Sequence, residues 1–169
     1  MRSFATACLA IVFATLFSGM SHAAQCRAVQ TVISSAASVA ANNTAGGHVS
    51  IHIKGMATDV NKTQYDSEAD FAKAFTNWKD LSESRIATLK LQPKDCSGNK
   101  DLIDMVPAAA VGIKVIGLCH AVGGNKLCSD YHPQLADNVC FTYHSAGGKW
   151  VLWTSYPIIG SNCLAYPGY

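Results

Sequence analysis

The stretch GGHVSIHIKG, Gly46 to Gly55, sets His48 and His52 four residues apart, beside Lys54 and directly behind a pair of glycines. Two imidazoles can divide proton removal from proton delivery, because both protonation states of histidine are populated near neutral pH. Read as a strand, the segment puts His48, Ser50, His52 and Lys54 on one face and Val49, Ile51 and Ile53 on the other. At about 3.3 Å per residue the two imidazoles then lie about 13 Å apart. One of them is therefore expected to act, with its proton-transfer partner supplied from elsewhere, and direct co-ligation of one metal is disfavoured. A helical reading makes HVSIH similar to the HExxH zinc motif in histidine spacing alone, since Val49 stands where the glutamate belongs. The plain alternative is two half-exposed histidines making ordinary hydrogen bonds.

The second candidate region is NVCFTYHSAGGKWVLWTSYPII, which reads as a hairpin: Val139 to His144, a turn at Ala146 to Gly148, then Lys149 to Tyr156. It holds what a metal-free phosphodiester site requires. Lys149, or Lys54 from the earlier segment, can offset charge on a phosphate; His144 or His132 can exchange a proton; Thr154 and Tyr156 can donate hydrogen bonds to its oxygens. Strand phase permits Thr154 and Tyr156 to share a face with Lys149 only if a bulge intervenes, because Trp150 and Leu152 otherwise hold that even-numbered face. Without a bulge, the hairpin's aromatics feed the core and its hydroxyls merely satisfy the strand end.

The elements that must position these groups follow from patterning. Arg2, an apolar run from Phe4 to about Phe17 and small residues at Ser21, Ala23 and Ala24 form a secretory signal peptide over 1–24. A single secreted α+β domain is expected over 25–169. Removing Cys8 with the leader leaves six cysteines, Cys26, Cys96, Cys119, Cys128, Cys140 and Cys163. An even number in a small exported chain argues for up to three disulfides of unspecified pairing, and no C-x-x-C spacing favours zinc. The mature chain keeps twelve basic and eleven acidic residues, a balance that excludes a non-specific nucleic-acid coat.

Alanine-rich spacing predicts a helix over roughly Gln25 to Ala41, and DSEADFAKAFTNWK predicts one over Asp66 to Lys79 with Phe71, Phe75 and Trp78 as a core-facing stripe. The segment from Leu81 is ambiguous between helix and strand, Gln92 to Asp101 reads as a loop, and AAAVGIKVIGLCHAV reads as a strand ending at Gly123-Gly124. Pro157 should end the last strand or confine its continuation to a sheet edge. These elements assemble as N-terminal helices packed on a small antiparallel sheet, stabilised by disulfides. No P-loop, dinucleotide fingerprint or GxSxG elbow is present, and no cofactor or metal is expected. Asn42-Asn43-Thr44 and Asn61-Lys62-Thr63 are formal glycosylation sequons.

The order of features resembles the RNase A-like toxin domains at the C-termini of bacterial contact-dependent inhibition proteins. The shared elements are a helix, Gly46-Gly47-His48 with His52 soon after, TQYDSEADFAKAF, and a closing Thr154-x-Tyr156-Pro157. They cover about two thirds of the mature chain in order. The chain departs in its histidine spacing of four, in having no histidine after His144 and in its six cysteines. The resemblance implies a metal-independent endoribonuclease, with His48 or His52 as one acid/base group, Lys54 as a phosphate contact, and Thr154 and Tyr156 across the cleft. The partners expected are an RNA substrate and an immunity or inhibitor protein, with no membrane insertion after processing. The alternative is a non-enzymatic secreted binding or inhibitor module using its aromatic hairpin as a partner surface.

Overall fold

The structure, a computed structural model, describes residues 23–98 and 100–163, so the leader expected over 1–24 lies outside it except for its last two residues. In chain order a 3₁₀ turn, Cys26–Ala28, precedes helices α1 (Gln30–Ser35) and α2 (Val39–Thr44), a second 3₁₀ turn Val49–His52, and the short strand β1 (Thr63–Gln64). Helices α3 (Glu68–Lys79) and α4 (Glu83–Thr88) follow, then β2 (Leu102–Pro107), a 3₁₀ turn Ala108–Val111, β3 (Val115–Val122), β4 (Cys128–Leu135), β5 (Asn138–Ala146) and β6 (Lys149–Ile158). The fold is α+β, as expected, but with two antiparallel three-stranded sheets, ordered β1-β3-β4 and β2-β5-β6, where one was anticipated.

The long first helix divides in two. Ala36 ends α1, and Ser38, extended and accepting a hydrogen bond from Ala41 N at 3.0 Å, caps α2. Helix α3 begins one residue after its Ser67 cap, and its stripe of Phe71, Phe75 and Trp78 is buried against Phe141, Tyr143, Leu152 and Val106 of the β2-β5-β6 sheet. A smaller core of Cys140, Tyr156, Ile158 and Cys163 lies apart from it. Strand β3 starts later than expected because Ala108–Val111 coils into a 3₁₀ turn closed by Gly112 at a left-handed φ of 77°. Strand β6 runs through Pro157 to Ile158; it is the outer strand of its sheet, where proline's missing N–H breaks no ladder.

All six cysteines pair: Cys26–Cys96, Cys119–Cys128 and Cys140–Cys163. Three disulfides fit an oxidising, non-cytoplasmic compartment. No helix of the described residues is long and apolar enough to cross a membrane.

Arg27 ties the N-terminal turn to this core. Its side chain is nearly buried over the Trp78 ring, and its Nη1 donates to the carbonyls of Trp78, Lys79 and Leu81 at 3.2, 3.0 and 2.7 Å, at and just beyond the end of α3. Its Nη2 meets Glu83 at 2.6 Å, but that carboxylate is 74 % exposed. Arg27→Met should therefore cost about 2–4 kcal/mol, as buried charge-assisted hydrogen bonds to carbonyls are lost, and Glu83→Gln under about 1 kcal/mol. Urea midpoints at constant m-value would measure both.

Candidate functional site

The site is built on the outer edge of β6. Asn42, fully buried at the end of α2, donates its side-chain amide to Leu152 O at 2.7 Å and accepts Val49 N at 2.9 Å. Between those contacts the chain doubles back through Gly46, whose φ of 88° suits glycine, and Gly47. A Cβ at Gly47 would stand 2.5 Å from Asn42 Oδ1 and 2.6 Å from Trp153 O, so no larger residue fits. His48 then donates its backbone N–H to Trp153 O at 2.9 Å and sets its ring edge-on to the Trp153 indole, 5.1 Å between centroids.

Strand β6 carries a bulge here: Tyr143 pairs with Leu152 and Thr142 with Thr154, which leaves Trp153 unpaired in the ladder. The bulge reverses the phase of everything beyond it. Thr154 and Tyr156 thereby join the face of Lys149, Val151 and His144, the condition that strand phase sets for a shared site. His144 packs its ring 4.8 Å from the same indole, and its Nδ1–H donates to Asp101 Oδ1 at 2.5 Å, which orients the ring and leaves Nε2 for other work. The two imidazoles thus flank one tryptophan, from opposite ends of the chain. Thr154 and its cross-strand neighbour Thr142 are buried, and neither hydroxyl has a hydrogen-bond partner among the described residues. Lys149 stays exposed at the hairpin tip, four rungs or roughly 13 Å from Thr154.

His52 departs from expectation. The segment is a 3₁₀ turn rather than a strand, and residues three apart eclipse in that geometry, so Val49 and His52 both face inward while His48 does not share their direction. The same alternation of apolar and polar residues that suggests a strand thus serves a period of three. His52 Nδ1–H donates to Thr63 O at 2.8 Å, and its ring stacks 5.0 Å from Tyr156. Burial pushes its pKa down to about 3, only partly countered by the Thr63 bond, with the charges of Lys62 and His48 lowering it further. It is a neutral structural imidazole. Tyr156 is buried beside it, with its hydroxyl donated to Cys163 O at 2.6 Å.

Lys62, singled out only as part of a sequon, is 9 % exposed and held where Cys119 N donates to its carbonyl. His48 is half-buried, and its pKa is lowered first by that burial and then by the Lys62 charge, which keeps its ring neutral near pH 7. Two other expected residues stand elsewhere. Lys54 lies over the Tyr131 ring, 4.1 Å from its centroid, and 3.5 Å from Asp66. His132 is on β4 of the other sheet, beside His120. Lys62, Asp101 and Trp153 carry no local signal; each is joined to its histidine only by tertiary structure. The hairpin's Phe141, Tyr143 and Tyr156 are buried and supply no exposed aromatic face. Asn42 of the first sequon is fully buried and so closed to modification in the folded chain.

No protein-family model matches this chain, and no curated protein or solved structure matches it either.

Gly47→Ala should destabilise the fold by about 1–3 kcal/mol through overpacking, and should accelerate hydrogen exchange at the His48 amide beyond that of a Gly124→Ala control, where a Cβ meets nothing within 4 Å. Titration makes a second prediction. A histidine whose folded pKa is depressed stabilises fully above its unfolded value of 6.5 and loses that contribution as pH falls toward its folded value of about 3. Asp104, buried and pushed up to about 6, acts in the opposite sense between its ordinary 3.8 and that value. The difference between wild type and His52→Gln isolates the histidine: the variant should be less stable at pH 7.5 yet lack about 1.4 kcal/mol of loss per pH unit below 6.5. Parallel pH–stability curves would contradict the assignment.

Proposed function

We propose that this chain is a secreted, metal-independent endoribonuclease, with His48 and His144 as its acid/base pair. The observation that carries this reading is the meeting of both imidazoles on Trp153. Ring separations of 5.1 and 4.8 Å to that indole bound their mutual spacing by the sum of the two, within reach of a phosphate and its two ester oxygens. Neutral His48 takes the proton of the ribose 2′-hydroxyl as O2′ attacks phosphorus. The bond from phosphorus to O5′ breaks as Nε2 of protonated His144 delivers a proton to that oxygen. The products are a 2′,3′-cyclic phosphate and a free 5′-hydroxyl.

The Lys62 ammonium opposes the charge that builds on the phosphorane. That role replaces the one expected of Lys54 or Lys149, which stand elsewhere, while the buried hydroxyls of Thr154 and Tyr156 do not reach a substrate. Asp101 positions His144 and is not a catalytic residue. An activity of this kind must be restrained before export, so an immunity or inhibitor protein is the partner this reading expects.

The test is cleavage of an oligoribonucleotide in EDTA, beside the same sequence in 2′-deoxy form. His48→Ala and His144→Ala should each lower the rate by about 10²–10⁴-fold, and the deoxy strand should remain intact. Lys62→Gln should lower the rate and move the ascending limb of the pH–rate profile upward, since a charge that depresses the base has been removed. Wild-type cleavage no faster than that of the double histidine variant would sink the reading.

A further inference from the structure

We infer that the β3–β4 hairpin carries a surface site for a divalent late transition metal, held by His120 and His132 with Asp130 behind them. It belongs to the β1-β3-β4 sheet and shares no residue with the proposed catalytic site.

The two imidazoles are cross-strand neighbours, with centroids 4.3 Å apart and planes tilted by 48°. Regular pairing does not predict this. His132 pairs with Leu118, which makes His120 its diagonal neighbour, and such positions stand roughly 7–8 Å apart in a flat ladder. The register shifts between Cys119 and Ala121, so His120 is the extra residue of a bulge, and bulges re-aim side chains. Imidazoles ligating one ion in cis have ring centres roughly 4.5–5 Å apart, given metal–nitrogen bonds of about 2.0–2.1 Å. A change of a few tenths of an ångström in ring separation therefore accommodates an ion.

A second observation concerns the proton. His132 Nε2 lies 2.9 Å from Asp130 Oδ1; a carboxylate accepts, so this nitrogen carries hydrogen and Nδ1 carries the lone pair. A ligating histidine ordinarily gives its other N–H to a carboxylate in this way, which fixes tautomer and ring orientation. His120, His132 and Asp130 are all exposed, so an ion reaches them without opening the fold. The Cys119–Cys128 disulfide closes the hairpin that bears all three.

Among the described residues no group of three or more His, Cys, Asp or Glu side chains is disposed to hold a metal. The site is accordingly a two-histidine one, completed by water. Such a ligand set takes Cu²⁺ most tightly of the first-row divalent ions, with Ni²⁺ and Zn²⁺ weaker, and leaves Mg²⁺ and Ca²⁺ unbound.

The test is calorimetric titration of the full chain, disulfides intact, with Ni²⁺ and Zn²⁺ alone, and electron paramagnetic resonance with Cu²⁺. One ion per chain is expected, with nitrogen hyperfine structure from two imidazoles. His120→Ala and His132→Ala should each weaken binding by more than the roughly tenfold expected of Asp130→Ala. His144→Ala should leave it unchanged. Folding of each variant is checked by far-ultraviolet dichroism, and the double His120→Gln, His132→Gln variant serves where an alanine variant fails to fold. Unaltered binding in the folded double variant, or loss of binding in His144→Ala, would overturn the inference.

Discussion

One buried amide holds the two halves of the chain in register. Asn42 reaches β6 through Leu152 O and the following turn through Val49 N, and both groups would otherwise be buried without partners. Because a side-chain amide offers a donor and an acceptor in one rigid plane, the two contacts fix the turn relative to the strand in direction as well as distance. Gly47 then fits only without a side chain, and the His48 amide falls on Trp153 O. The His48 backbone is therefore placed by the strand, and its ring packs edge-on to the Trp153 indole.

The Trp153 bulge is the second half of that arrangement. A regular strand would turn Thr154 and Tyr156 to the helix-packed face and leave His144 alone on the other. One additional residue moves both across. The same device recurs in β3, where the displaced residue is His120, so each sheet owes its principal cluster of polar groups to an irregularity in one strand.

Legibility in the sequence followed how local each determinant was. The stripe of Phe71, Phe75 and Trp78 is a matter of helical period, and α3 was readable to within two residues of its start. The β5–β6 hairpin was readable from alternation and its glycine turn, and the even cysteine count from composition. The segment around His52 was not, because a few alternating residues satisfy both a strand and a tight turn, and the choice was made by Asn42 and by the contact of Lys54 N with Tyr65 O. The bulge could be named as a condition but not located. Lys62, Asp101 and Arg27 act on partners between 14 and 56 positions away, and no spacing rule reaches that far.

Beyond the ladder with β5, the outer rim of β6 has its own coverings. The Thr31 hydroxyl takes Trp150 O, Ser35 receives Leu152 N, Asn42 takes Leu152 O, His48 takes Trp153 O and Thr63 takes Pro157 O. A bare strand rim is a template for another molecule's strand, and here the protein's own first helices occupy the places where a stranger would bind. The segment that delivers an imidazole is thus also a guard against self-association. Failure of that segment to dock would lead to intermolecular sheet growth, so solubility and the meeting of the two imidazoles on Trp153 stand or fall together.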